Sequence, residues 1–142
     1  MKSINLLMGL VIALVATGCL TSSTPKKYDI VSAEVREAAA LEKLKDSPNT
    51  VAINAKGLCC PSCAIGIRKK VSKLDFVDKL RFNMGVELDA KVQLASVAIA
   101  PGKKADILAL TKAVDDAGYL PHKLYKMENG QLKSTPLIAP SE

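Results

Sequence analysis

The segment Thr50–Lys70, TVAINAKGLCCPSCAIGIRKK, changes its hydrophobic period at a glycine followed by a cluster of cysteines. Apolar residues occupy every second position between Val51 and Ala55, an alternation that predicts a half-buried β-strand ending at Gly57. From Pro61 onward the apolar residues recur at helical spacing, and proline suits the first position of a helix. The sequence therefore predicts a strand, a cysteine-bearing loop and a helix in direct succession.

The remaining pattern predicts three more strands and one more helix. Strand character is found in FVDKLRF (76–82), ASVAIAP (95–101) and LPHKLYKM (120–127), and helical spacing in ADILALTKAVDDAGY (105–119), with Gly118 suited to the helix end. The order β-α-β-β-α-β predicts an α+β fold, a ferredoxin-like sandwich of a four-stranded antiparallel sheet with two helices on one face. Pro121 indicates that the last strand lies at the sheet edge. ENGQ (128–131) is typical of a tight turn, so the tail is expected to add a short hairpin.

The segment NMGVELDAKVQL (83–94) is expected to lengthen the hairpin between the second and third strands. Apolar residues of one parity from Leu80 to Leu88 predict an extended strand, followed by a turn near Asp89-Ala90 and a bulge around Ala95-Ser96. This hairpin would pass the cysteine loop and pack on the preceding helix or a partner. The alternative is a hydrophobic flap over a bound ion, with Met84 as a weak thioether donor.

The first 19 residues, MKSINLLMGLVIALVATGC, have the charged start, short apolar run and small residues of a signal peptide. The end ATGC resembles the lipobox of bacterial lipoproteins, which implies that Cys19 is acylated and anchors the chain at the periplasmic face of the outer membrane. An ordinary signal peptide with a spare cysteine is the alternative. The expected organisation is a signal at 1–18, a tether and short helix at 19–48, the domain at 49–127 and a hairpin or tail at 128–142. The helix over Ser32–Ser47 is expected to be mainly a spacer, with light docking.

Composition and motifs argue against two classes of function, nucleic-acid binding and catalysis. The 142 residues carry a formal net charge of +6 without a basic block and with few aromatic residues, so nucleic-acid binding has little support. The charge is better explained by solubility and attraction to acidic surfaces. Because the sequence contains no recognisable catalytic triad, paired carboxylates or phosphate loop, we expect a protein that is not an enzyme.

The cysteine loop, Gly57-Leu58-Cys59-Cys60-Pro61-Ser62-Cys63, resembles the Gly-Met-x-Cys-x-x-Cys motif of heavy-metal-associated domains. Further landmarks of that family fit along residues 50–125, namely Ile67, Val71 and Leu74, then Val77, Leu80 and Phe82, the ASVAIAP strand, and Ala117-Gly118-Tyr119. The resemblance implies a metal site at Cys60 and Cys63, with Tyr119 beside it. The chain departs from the motif by Leu58 in place of methionine, Phe76 in place of glycine, and the extra Cys59.

Thiolates are soft donors, so Cys60 and Cys63 are expected to bind Cu(I), with Hg(II) and Zn(II) as alternatives. Two ligands on an exposed loop suit a carrier that exchanges its ion with a metal-donating or metal-accepting protein, such as a metal pump or efflux component. Cys59 is expected to be a small buried hydrophobic residue, and His122 a surface residue of the last strand.

Two other functions stay open. CPSC between a strand and a helix superficially resembles the glutaredoxin active site, which would make the chain a thiol–disulfide oxidoreductase, but neither Pro101 nor Pro121 suits the cis-proline of that fold. The other alternative is a structural lipoprotein with an inert Cys60–Cys63 disulfide.

Overall fold

The computed structural model describes residues 30–60, 62 and 64–138 of the chain. Its elements are α1 (Ala33–Lys45), β1 (Thr50–Lys56), α2 (Ala64–Val71), β2 (Val86–Asp89), β3 (Leu94–Ala98), α3 (Ile107–Asp115), β4 (Leu120–Glu128) and β5 (Gln131–Pro136). The predicted signal peptide and Cys19, as well as Pro61 and Cys63, lie outside the described residues. Within the described residues no helix has the length and apolar character needed to cross a bilayer.

The strands form one antiparallel sheet in the order β2-β3-β1-β4-β5. Without β5, this is the β-α-β-β-α-β arrangement of a ferredoxin-like sandwich, so the predicted fold class is confirmed. The fifth strand comes from the predicted hairpin, whose turn residues Asn129 and Gly130 have φ values of 50° and 74°. The sheet therefore has five strands, one more than the predicted four.

The helices α2 and α3 pack on one face of the sheet, as the spacing of their apolar residues predicts. Ile67 and Val71 of α2 and Leu110 and Val114 of α3 are fully buried, and they join Val51, Ile53 and Leu124 of the sheet in the larger hydrophobic cluster. Gly118, in the turn that follows α3, has a φ of 87°, the left-handed conformation expected at the helix end.

The helix α1 covers the opposite face of the sheet, so the expectation of a spacer was wrong. Ala40 and Leu44 form a second cluster with Ala52, Leu94 and Tyr125, which belong to three different strands. Because both faces are covered, all seven residues of β1 are buried, and the half-buried strand predicted from its alternation is corrected. The polar residues of β1, Thr50, Asn54 and Lys56, are therefore buried and not in solvent.

The second strand begins later than predicted. Within FVDKLRF only Val77 makes a β-bridge, to Ile99, and Leu80 is 97% exposed. The Asp78 side chain accepts a hydrogen bond from the Leu80 backbone N–H, which turns the chain here. The extended strand through Leu80, Phe82 and Met84 was therefore wrong.

The pairing of β2 with β3 is regular from Val86↔Val97 to Asp89↔Leu94, so the predicted bulge at Ala95-Ser96 does not form. A bulge lies instead between β1 and β4, where the register shifts at Asn54/Ala55. Pro121 pairs with Ala55 next to this bulge and precedes the first β4 residue that is paired with β5. Its missing N–H is accommodated there, and the prediction of an edge strand was wrong because β4 lies between β1 and β5.

Candidate metal-binding site

The cysteine loop follows β1 and is shaped by Gly57, whose φ of 94° favours glycine. Leu58, which stands where the family motif has methionine, is fully buried in the larger cluster. Its backbone N–H donates a 3.2 Å hydrogen bond to the Ala55 carbonyl, closing the turn. Leu58 thus packs the base of the loop into the core, whereas Cys59 is exposed and Cys60 is half-buried.

The two described cysteines of the loop differ in state. Cys59 is exposed and its thiol is free, so the expectation of a buried hydrophobic residue was wrong. Cys60 is half-buried and disulfide-bonded, and the partner cysteine lies outside the described residues. The sulfur of Cys60 also lies 3.3 Å from Ser62 Oγ. Cys63 itself is not described, so its predicted role as second ligand stays a prediction.

A cavity of about 90 Å³ adjoins Cys60. It is lined by Leu58, Cys60, Ala64 and Arg68 and by two residues from the end of β2 and its turn, Leu88 and Ala90. The turn between β2 and β3 therefore lies at the same end of the sheet as the cysteine loop, as predicted. Arg68 is fixed nearby by a 3.4 Å hydrogen bond from Nε to the Val86 carbonyl.

Met84 does not lie near the cysteines. It comes before β2, whose first residue pairs at the end of β3 farthest from the loop, whereas Asp89 at the other end of β2 is nearest to it. The thioether donor at Met84, the alternative offered for this segment, was therefore wrong. Shielding of a bound ion by the hairpin stays a prediction, since Leu88 and Ala90 border the Cys60 cavity. Arg68, Leu88 and Ala90 are the neighbours that sequence reasoning missed, because nothing local indicates that they meet Cys60.

Tyr119 lies beside the loop, as the resemblance implied. A Cβ at Gly57 would be 3.8 Å from Tyr119 Cδ1, and Tyr119 N–H donates a 3.2 Å hydrogen bond to the Val114 carbonyl at the end of α3. Burial, and secondarily the negative charge of Cys59, raise the pKa of Tyr119 above its ordinary value. His122 is exposed on β4, in agreement with the sequence.

Known relatives of the chain are mercuric transport proteins. The sequence is 32% identical over 82 residues to the "Mercuric transport protein periplasmic component" of Pseudomonas fluorescens, covering 58% of this chain and 82% of that protein. The protein of the same name from Shigella flexneri is 33% identical over the same shares. The chain belongs to this family. The predicted kinship with heavy-metal-associated domains is thereby confirmed.

The protein in a solved structure, oxidized MerP from Ralstonia metallidurans CH34, is 32% identical in sequence to this chain. It covers 51% of this chain and 90% of its own, with a TM-score of 0.41. No protein-family model matches the sequence.

Proposed function

We propose that this chain is a periplasmic carrier that binds one Hg(II) ion between the sulfurs of Cys60 and Cys63 and passes it to a partner protein. The observation that carries the proposal is the position of Cys60, half-buried on the loop between β1 and α2, in a relative of periplasmic mercuric transport proteins. The names of these relatives favour Hg(II) over the Cu(I) expected from the sequence. Two thiolates suit either ion, whereas structural Zn(II) sites have four ligands.

The disulfide at Cys60 represents the oxidised form of the carrier, which has no thiolate to offer at this position. We propose Cys63 as its partner, since Cys59 is free and the remaining cysteine, Cys19, is the proposed site of acylation. Loading then requires an external dithiol that gives two electrons and two protons to the disulfide and is itself oxidised to a disulfide. When Hg(II) binds, both thiols lose their protons and two sulfur–mercury bonds form.

Release to a partner follows from the low number of ligands. A first thiolate of the partner can add to the two-coordinate ion as a third ligand and displace one carrier sulfur. A second partner thiolate then displaces the other, so two sulfur–mercury bonds form as two break. Cys59 and Ser62 are exposed and Cys60 is half-buried, so the loop is open to such an incoming thiolate. A closed structural site would block this exchange.

A thiol–disulfide oxidoreductase is the second candidate, and the disulfide at Cys60 is the observation that favours it. The two functions differ in what the reduced chain does. A carrier retains the metal against competing small thiols, whereas an oxidoreductase transfers electrons to a disulfide substrate catalytically. An insulin-reduction assay on the same preparation therefore separates them.

The metal proposal is tested by anaerobic Hg(II) titration of the reduced chain against a competing monothiol. Cys60→Ser and Cys63→Ser should each lose the tight site, because only one of the two proposed ligands remains and Cys59 is expected not to replace the other. Cys59→Ser is the matched control and should retain it. Equal retention in all three variants would contradict the proposed ligands.

We also propose that acylated Cys19 holds the carrier at the periplasmic face of the outer membrane. The support is the sequence ATGC at 16–19 and the absence of aspartate at position 20. Cys19→Ser, or treatment of cells with globomycin, should leave a larger, unprocessed chain on a denaturing gel. An unchanged mature size in both experiments would refute lipidation.

A further inference from the structure

The end of the sheet opposite to the cysteine loop, here called the distal end, is where β1 begins at Thr50. Seven residues of strand separate it from Gly57, which places it about 20 Å from the loop. Two surface features meet there, an apolar tip and a basic groove. Neither takes part in the proposed metal site.

The apolar tip consists of Leu80, Phe82 and Met84, whose side chains are 97%, 39% and 48% exposed. The loop that carries them is held in place by its own hydrogen bonds. Gly85 N–H donates to the Arg81 carbonyl at 2.9 Å, and the Arg81 guanidinium donates to the Pro48 carbonyl at 2.9 Å and to Thr50 Oγ1 at 3.1 Å. The tip is therefore presented outward by a fixed backbone.

The backbone conformation of the tip is unfavourable for the residues it carries. Phe82 and Met84 have φ values of 54° and 55°, in the left-handed region where asparagine and glycine are favoured. Large apolar residues at such positions cost stability. Phe82 recovers part of this by its contact with the Arg81 guanidinium, whose Cζ lies 5.3 Å from the ring centroid. Asparagine would suit both backbone and solvent better, so these side chains are better explained by a use outside the folded chain.

The basic groove is a cavity of about 680 Å³ beside the tip, and it shares Pro48 and Asn49 with the contacts of Arg81. Its lining includes four lysines, Lys45, Lys103, Lys104 and Lys126, and a single acidic residue. That residue, Glu128, pairs with Lys126 at 2.6 Å. Within the described part of the chain Lys45 and Lys104 have no ion-pair partner.

We propose that the apolar tip and the basic groove together dock the chain on an anionic phospholipid surface. A protruding leucine, phenylalanine and methionine can enter the boundary between headgroups and acyl chains, while the lysines contact lipid phosphates. The lysines beside the tip favour lipid because each adds attraction to an anionic leaflet.

Docking by the distal end directs the cysteine loop away from the membrane. The proposed anchor at Cys19 would hold the chain at the membrane, and this surface would complement it by orienting the domain there. The inference does not rest on metal binding, and its test uses a chain without Cys19. Its failure therefore leaves the proposed carrier function untouched.

The test uses the chain from Leu20 onward, which keeps both hydrophobic clusters because all their residues lie between 39 and 137. Co-sedimentation is measured with vesicles containing phosphatidylglycerol and with neutral phosphatidylcholine vesicles. Phe82→Asn/Met84→Asn should weaken binding to the anionic vesicles by about tenfold or more. The same variant should keep or raise the thermal unfolding midpoint, because asparagine tolerates the left-handed backbone.

Ile138→Asn is the matched control, since Ile138 is 90% exposed and follows the end of β5 that lies nearest the cysteine loop. It should bind vesicles as the unmodified chain does. Lys45→Gln/Lys104→Gln should reduce anionic binding by about fivefold per lysine and leave neutral binding unchanged. The proposal is overturned if the unmodified chain does not bind anionic vesicles, or if the tip variant binds them equally well. It is also overturned if the tip binds an envelope protein and no vesicles.

Discussion

Arg36 of α1 donates a 3.0 Å hydrogen bond from Nε to the carbonyl oxygen of Val92, in the turn between β2 and β3. The same guanidinium lies 3.3 Å from Gln93 Oε1 and is 3% exposed as a residue. The backbone carbonyl of Gln93 in turn accepts a 3.0 Å hydrogen bond from Asn54 Nδ2. A buried polar network therefore links the added helix, the central strand and the turn whose Ala90 borders the Cys60 cavity.

Replacing Arg36 should destabilise the fold strongly. Arg36→Ala removes several charge-assisted hydrogen bonds and leaves buried acceptors unpaired, so we expect the free energy of unfolding to fall by about 2–3 kcal/mol. Urea denaturation followed by circular dichroism measures it. Lys43→Ala is the control on the same helix. Its contacts of 3.7 Å to Glu87 and 3.6 Å to Asp89 are surface ion pairs worth less than about 1 kcal/mol. Equal effects of both substitutions would show that the network is not what holds α1.

Gly85 should tolerate no side chain. Its φ is 81°, and a Cβ there would overlap Val77 Cγ1 and lie 2.9 Å from the Asp78 carbonyl oxygen. Gly85→Ala should therefore lower the free energy of unfolding by about 2–4 kcal/mol, adding the crowding to the backbone strain. Gly102→Ala isolates the strain, because Gly102 has a φ of 75° and nothing within 4 Å, and should cost about 1 kcal/mol. Thermal denaturation of the two variants measures both losses of stability. Equal losses for Gly85→Ala and Gly102→Ala would refute the predicted crowding at Gly85.

The fold prediction was correct for segments whose structure is determined by their own residues. The helical spacing of Ile67 and Val71, the left-handed cap at Gly118 and the turn at Asn129-Gly130 are all set by the segment's own residues. Such features are readable because their periodicity or backbone preference is local.

The errors arose where distant residues decide the structure. The chain between Phe76 and Gly85 alternates enough to suggest a strand, but Asp78 turns it and Arg81 ties it to Pro48 and Thr50. The docking of α1 depends on Arg36, which in the sequence has the character of a solvent-exposed residue. At the site, the meeting of Cys60 with Ala90 depends on the sheet register and has no sequence signal.

Tyr119 should report the charge of Cys59. Its pKa is raised, so the neutral phenol is favoured in the fold, and the stability this gives is present below the ordinary pKa of tyrosine and lost as the pH rises through the folded value. In the oxidised chain, Cys59→Ser should lower the Tyr119 pKa part of the way, because burial persists. Tyrosinate absorbance, with Tyr119→Phe subtracted to remove Tyr28 and Tyr125, measures it. An unchanged pKa would mean that the two side chains do not interact.

The most direct test of the carrier account is a thiol count on the mercury-loaded chain. The chain from Leu20 onward has three cysteines, and the account assigns two of them to the ion. Native mass spectrometry of the reduced protein with equimolar Hg(II) should show one ion per chain and the loss of two protons. An alkylating reagent should then modify Cys59 alone. Modification of Cys60 or Cys63 in the loaded chain, with the ion still bound, would contradict the account.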